Sequence, residues 1–231
     1  MILEICADSY DAVILAQKYK VKRVELCSAL SLGGLTPSVG LIEKCVEIDE
    51  VEIHVMIRHK EGDFVYSSDD IEIMESDIII AKEAGAKGVV FGCITTDNEI
   101  DIKQNKLLYK LSKRLGLEVT FHRAFDFCTS AHRSLEEVIN IGFDRLLSSG
   151  QENTAEEGIL LLNKLVNQSN GRIQIMAGSG VNSINALRIA ATNVDALHFT
   201  SHLKSEESNN LGMGFNHIQD ERKIKSIIEL F

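Results

Sequence analysis

The chain carries a single proline, Pro37, among 231 residues, and no long Gly/Ser tract. No flexible linker therefore divides it, and the sequence reads as one domain over 1–231. No apolar run approaches the ~20 residues of a membrane-spanning helix. Positive charge is in deficit, with 24 Lys and Arg against 34 Asp and Glu, a net charge of −10. Such a surface argues against nucleic acid, whose phosphates demand basic groups, and against an anionic membrane face. No Cys-x-x-Cys or His-x-x-His spacing marks a metal site, and neither GxGxxG nor a Walker motif suggests nucleotide use. The first residues, Met-Ile-Leu-Glu-Ile-Cys, have no basic region and no cleavage site, so they are expected to form a first strand. Five cysteines, Cys6, Cys27, Cys45, Cys93 and Cys128, are odd in number and scattered, which predicts reduced thiols in a cytoplasmic protein.

What the sequence does contain is a regular alternation of strand-like and helix-like runs. Strands are predicted at Leu3–Cys6, Arg23–Cys27, Glu52–Ile57, Gly88–Phe91, Glu118–His122, Arg145–Ser148, Ile173–Met176 and Ala196–Phe199, with helices between them and a last helix over Ile218–Leu230. Asp8-Ser9 and Asn182-Ser183 suit helix N-caps, and Thr36 suits a cap before Pro37 in a first turn. Gly85, Gly116 and Gly142 fall where helices should stop. Residues 204–210 read as a polar surface loop. Eight βα units predict an α/β fold, a TIM-type (β/α)₈ barrel, with a doubly wound open sheet as the alternative. A weak repeat precedes strands two, four, six and eight: Lys20-Val21-Lys22, Gly85-Ala86-Lys87, Gly142-Phe143-Asp144 and Asn193-Val194-Asp195.

Side chains alternate faces along a strand, so one parity must point into the barrel. That parity is polar: Glu4 and Cys6; Arg23, Glu25 and Cys27; Glu52, His54, Met56 and Arg58; Glu118, Thr120 and His122. Structural barrels fill this space with Val, Ile and Leu. Carboxylates buried there are costly unless paired, for instance Glu25 with Arg58. Glu4, Glu25, His54 and His122 are therefore expected to form a cluster in the barrel mouth. The repeated words Glu4-Ile5-Cys6 and Glu25-Leu26-Cys27 would set the two cysteines side by side, with Met56 at similar height. Thiolate and thioether are soft donors suited to Cu(I), although both residues are also ordinary core fillers. Arg58 and Arg123 could clamp a carboxylate or phosphate. The turn Gly178-Ser179-Gly180, expected to open a helix, offers backbone N–H groups to an anion.

These segments resemble the CutC family over about residues 2–201. The motifs are Glu4-Ile5-Cys6, Arg23-Val24-Glu25-Leu26-Cys27-Ser28, Gly33-Gly34-Leu35-Thr36-Pro37-Ser38, His54-Val55-Met56-Ile57-Arg58, Thr120-Phe121-His122-Arg123-Ala124-Phe125-Asp126 and Met176-Ala177-Gly178. The resemblance implies a TIM-type barrel in the cytoplasm, self-association into a homodimer or larger oligomer, and copper homeostasis with copper binding. Cys6 and Cys27 occupy its cysteine positions. His59-Lys60 departs from the Pro-Arg usual after Arg58, and Ser179 interrupts the glycine run.

Two functions follow. One is a copper-handling protein with Cu(I) on Cys6 and Cys27. The other is an enzyme acting on a small anionic metabolite, with Glu4, Glu25, His54, His122 and Asp126 as acid–base candidates. Arg58, Arg123 and residues 178–180 would then hold the anion. No lysine stands at an inward strand end, which weighs against a Schiff-base aldolase.

Overall fold

A computed structural model describes residues 1–204 and 217–231. Eight parallel strands close into a barrel in sequence order: β1 Ile2–Ala7, β2 Arg23–Leu26, β3 Glu52–Met56, β4 Gly88–Phe91, β5 Glu118–Phe121, β6 Arg145–Ser148, β7 Gln174–Gly178 and β8 Ala196–Thr200. The helices are α1 Tyr10–Lys18, α2 Val39–Val46, α3 Ser68–Glu83, α4 Ile102–Arg114, α5 Ala131–Ile141, α6 Ile159–Ser169, α7 Ala186–Ala190 and α8 Glu221–Ile228. β9 (His202–Lys204) and β10 (His217–Gln219) pair antiparallel between β8 and α8.

One strand parity explains the closure. Ile5, Val24, Leu26, Ile53, Val55, Val89, Phe91, Val119, Phe121, Leu146, Ile175 and Leu197 are buried in the layer between strands and helices. Each such side chain contributes about 1.5–3 kcal/mol on burial. The opposite parity, including Glu4, Arg23, Glu25, His54, Thr120, Arg145 and His198, is buried inside the barrel.

The repeat is a shared turn. Lys20, Gly85, Gly142 and Asn193 all have positive φ (58°, 101°, 111° and 64°), which reverses the chain from helix into strand. Two residues later, Asp144 and Asp195 accept hydrogen bonds from the Val119 and Ile175 backbone N–H at 2.7 and 2.8 Å. The corresponding residues before β2 and β4 are Lys22 and Lys87, whose side chains have no acceptor to offer.

Several local expectations are corrected. Ser9 caps α1 as expected. Thr36 caps no helix: Ser38 does, and the Thr36 hydroxyl instead accepts from Arg58 N–H and donates to Asp77. Asn182-Ser183 does not cap α7, which begins at Ala186. Asn182 and Asn185 hydrogen-bond within the preceding turn, and this local competition delays the helix. Ile218 belongs to β10, because pairing with β9 displaces the first turn of the predicted last helix. Of the predicted loop 204–210, Lys204 ends β9 and residues 205–210 lie outside the described residues. β7 starts at Gln174 and runs to Gly178.

Candidate functional site at the barrel mouth

The C-terminal ends of the strands surround a cavity of about 950 Å³. Cys6, Glu25 and His198 line it from β1, β2 and β8, and Arg58, His122 and Arg123 from the segments after β3 and β5. Leu30–Gly33, Phe64, Phe127, Ser179–Ser183 and, from α8, Lys223, Ser226 and Ile227 also line it. Glu4 and His54 do not line it. The cluster expected in the mouth is therefore split into two levels.

The lower level is a charge network. Arg23 and Glu4 form a buried ion pair, and Arg145 pairs with Glu118. His54 Nε2 stands 3.8 Å from Glu118, with neither ring nitrogen hydrogen-bonded. Burial, reinforced by the Arg145 and Arg23 charges, lowers the His54 pKa to about 4. Burial alone would raise the Glu4 carboxyl, but the hydrogen bond and charge of His198, with Arg23, hold it at about 2.

The upper level is built on His198. Its Nδ1 lies 2.8 Å from Glu4 Oε1 and its Nε2 3.5 Å from Glu25 Oε2. Burial opposes its charge, yet Glu25, Cys6 and Glu4 together raise its pKa well above the ordinary value. Burial raises the Glu25 carboxyl, and the Glu4 charge adds to the rise. Glu25 Oε1 is buried with no hydrogen-bond partner. Gly178 makes room for the imidazole: a Cβ there would sit 2.6 Å from Leu147 Cδ1 and 3.2 Å from His198 Cβ.

The strand stagger pairs Cys6 with Glu25, not with Cys27. The Cys27 side chain nevertheless reaches Cys6, with the two Sγ atoms 3.9 Å apart, and Cys27 Sγ donates to Ala7 O. The Cys6 thiol donates to Glu25 Oε2 at 3.2 Å. The hydrogen bond with Cys27, then burial, push its pKa well above the ordinary range. Met56 packs against both cysteines. Gly34, at φ 85–89° with Gly33, closes the loop down on Cys27: an added Cβ would lie 3.5 Å from Cys27 Cβ and Met56 Cε. Cys45, Cys93 and Cys128 are buried free thiols that do not line the cavity.

Arg58 does not pair with Glu25. Its Nη1 donates to Leu32 O and Gly34 O and its Nη2 to Gly62 O, knitting the loops after β2 and β3. Among the described residues no carboxylate neutralises this 3%-exposed guanidinium, and its Nε is buried without a partner. His122 accepts at Nδ1 from Ala124 N–H, so its proton sits on Nε2, which is buried and unpartnered. Burial and the Arg58 charge lower its pKa to about 3, so the ring is a neutral donor. Asp126 has no free oxygen: Ser148, Ser149, Gln151 and Arg123 all donate to it. It holds Arg123 at the rim and ties the β5 and β6 loops together. Ser179 donates to Asn153 O, and the turn over residues 178–180 ends six residues before α7, so it does not open a helix.

Two contributors lie outside the expected site residues: Arg23, on the inward parity of β2, and His198, which the alternation Ala196, His198, Thr200 points inward from β8.

Fold and site define a TIM-type barrel with a charged interior and a cavity at its C-terminal mouth whose largely apolar wall carries a few charged groups. The chain belongs to the CutC family, whose family model matches residues 1–203. A CutC family protein of Glaesserella parasuis is 43% identical over 240 residues, covering 99% of this chain and 98% of the relative. One from Vibrio cholerae is 46% identical over 200 residues, covering 86% and 79%. The crystal structure of CutC from Streptococcus agalactiae, named for a proposed part in copper homeostasis, superposes with a TM-score of 0.81 at 35% identity, covering 86% of this chain and 98% of that one. Thiamine phosphate pyrophosphorylase from Pyrococcus furiosus shares the fold alone, with a TM-score of 0.63 at 13% identity over 99% of this chain and 94% of that one. No helix among the described residues is long and apolar enough to cross a membrane.

Proposed function

We propose that the barrel mouth is the active site of an enzyme acting on a small anionic metabolite, a phosphate or a carboxylate. The observation that carries this is Arg58, a buried cation on the cavity wall with no carboxylate partner among the described residues. Buried charges are normally compensated, and an anionic ligand supplies the missing charge. Arg123, anchored by Asp126, adds a second cation, and the His122 Nε2–H offers a neutral donor to an oxygen of the ligand. Glu25 and His198 form the reacting floor opposite. Glu4 and His54, below that floor, tune it and do not touch the ligand. Inorganic phosphate, a sugar monophosphate and a dicarboxylate serve as probes in a thermal-shift titration. A binder at 100 times its Kd adds about 2.7 kcal/mol of stability. Arg123→Gln is expected to weaken it about tenfold. If no probe in the panel shifts the transition, this reading fails.

The Cys6–Cys27 contact favours a second reading, Cu(I) as cargo. Two thiols 3.9 Å apart beside the Met56 thioether are a soft donor set that fits this ion. Competition with a Cu(I) chelator tests it: Cys6→Ser plus Cys27→Ser should abolish binding, and unchanged affinity refutes the site. The cytoplasmic location and homodimer or larger oligomer implied by the family belong to both readings, and sedimentation of the purified chain tests the assembly.

A further inference from the structure

We propose that Cys6, Glu25 and His198 form a three-ligand site for a borderline divalent ion of the Zn²⁺ type, which shares Cys6 with the thiol pair but does not use Cys27. The Cys6 Sγ, a Glu25 carboxylate oxygen and a His198 ring nitrogen all lie within 4.8 Å of one another. Glu25 Oε2 is 3.2 Å from Cys6 Sγ and 3.5 Å from His198 Nε2. Ligands about 2.0–2.3 Å from a tetrahedral ion lie roughly 3.4–3.6 Å from each other. Two of the three separations thus already suit a common ion, and the third, Cys6 Sγ to a His198 ring nitrogen, lies within 4.8 Å, so side-chain adjustment closes the set.

The donor chemistry selects the class of ion. A thiolate, an imidazole and a carboxylate together suit Zn²⁺, whereas a hard carboxylate is a poor ligand for Cu(I). Charge balances as well: binding releases the Cys6 thiol proton and the His198 Nε2 proton to solvent, and the resulting thiolate and the Glu25 carboxylate neutralise a divalent ion within a buried site. Behind the imidazole stands a carboxylate, as metal-binding histidines require. Glu4 Oε1 holds His198 Nδ1 at 2.8 Å, and Arg23 in turn holds Glu4. That chain leaves Nε2 aimed at Glu25. A second, independent observation points to a ligand: Glu25 is 2% exposed, lines the cavity, and its Oε1 has no partner. All three residues line the cavity, so a fourth position opens towards the proposed metabolite. Three protein ligands with an open position are the pattern of catalytic and not of structural zinc. This inference rests on the reading of Glu25 and His198 as the reacting floor, and it adds Cys6 and a divalent ion to that floor.

The test uses the full chain stripped of metal and titrated with Co²⁺ and Zn²⁺. Co²⁺ should give a sulfur-to-cobalt charge-transfer band that Cys6→Ser removes. In competition with a chelator, Glu25→Gln and His198→Gln should each weaken Zn²⁺ at least about tenfold. Glu4→Gln should weaken it about 10–100-fold through the histidine alone. Cys27→Ser should change it less than about threefold. Zn²⁺ affinity unaffected by Glu25→Gln and His198→Gln overturns the proposal. So does a loss in Cys27→Ser as complete as in Cys6→Ser, which would assign the ion to the thiol pair. Circular dichroism of each variant confirms the fold, and Co²⁺ spectra of folded Glu25→Gln stand in if a histidine variant unfolds. Phosphate binding measured without metal reports on the anion reading separately, so either can fail alone.

Discussion

Removing the charge of Glu4 is the sharpest probe of the barrel interior. In Glu4→Gln the side chain keeps its shape, but Arg23, itself 5% exposed, is left as a buried cation. His198 Nδ1 also meets an amide in place of a carboxylate. Breaking a buried pair by removing one partner costs about 3–5 kcal/mol. The Glu4 pKa gives a second route to the number. Its fall from 4.5 to about 2 corresponds to about 3 kcal/mol at neutral pH. The sign follows from the depressed value: this stability is present above pH 4.5 and is lost as pH falls through about 2. Urea denaturation at pH 7 should therefore show Glu4→Gln less stable by about 3 kcal/mol. Arg23→Met alone should cost a similar amount, and the double variant should cost clearly less than the sum. A loss under about 1 kcal/mol, or strict additivity, would refute the view that these charges are coupled inside the barrel.

Three further outcomes follow from the same geometry. Gly92→Ala places a Cβ 2.8 Å from His122 Nδ1 and 2.9 Å from the Phe121 ring, so it should cost about 1–3 kcal/mol in urea melts and turn His122 away from the cavity, lowering phosphate affinity. Asp126→Ala strands the Ser149 and Gln151 backbone donors, so denaturation should show a loss of at least about 2 kcal/mol, and phosphate titration should show weaker binding as Arg123 loses its anchor. His54 and His122 are held neutral, with pKa values of about 4 and about 3, so stability complete above pH 6.5 should fall as pH drops towards those values. His198, whose pKa is raised, contributes in the opposite sense: its share is complete below pH 6.5 and fades only as pH rises through its folded value. His54→Leu should accordingly flatten the stability profile between pH 6.5 and 5, and an unchanged slope in urea melts would count against a neutral buried His54.

The barrel is legible because eight strand-like runs alternate with helix-like runs, and on β1, β2, β3 and β5 a polar parity opposes an apolar one that is buried under the helices. The same alternation placed Glu4, Glu25, His54 and His122 on the inner face. It could not give their heights, because the stagger between neighbouring strands is a property of closure and not of any one segment. That stagger sets Cys6 opposite Glu25 and drops Glu4 and His54 below the cavity. Hydrogen-bond partners were equally beyond reach. Arg58 spends its donors on loop carbonyls and Asp126 fills its oxygens from the β6 loop, contacts between segments far apart in sequence. His198 was within reach and was missed because its strand lacks the Glu-x-Cys word that drew attention to β1 and β2. Caps failed where side chains had other partners: Thr36 bonds to Arg58 and Asp77, distant in sequence, and Asn182 to its own turn.

The aspartates before β6 and β8 have a mechanical meaning for the end of the barrel away from the cavity. Asp144 and Asp195 act as pins, each fastening the incoming turn to the first residues of the preceding strand. The equivalent turns at Lys22 and Lys87 are held by backbone alone, and both lysines face solvent. The barrel is thus riveted along one half of its base and merely laced along the other. Cavity-lining groups stand above both halves: Cys6, Glu25 and Arg58 rise from the laced side, and Arg123 and His198 from the riveted one. Any slackening of the base would therefore be felt at the mouth as a shift of one wall against the other.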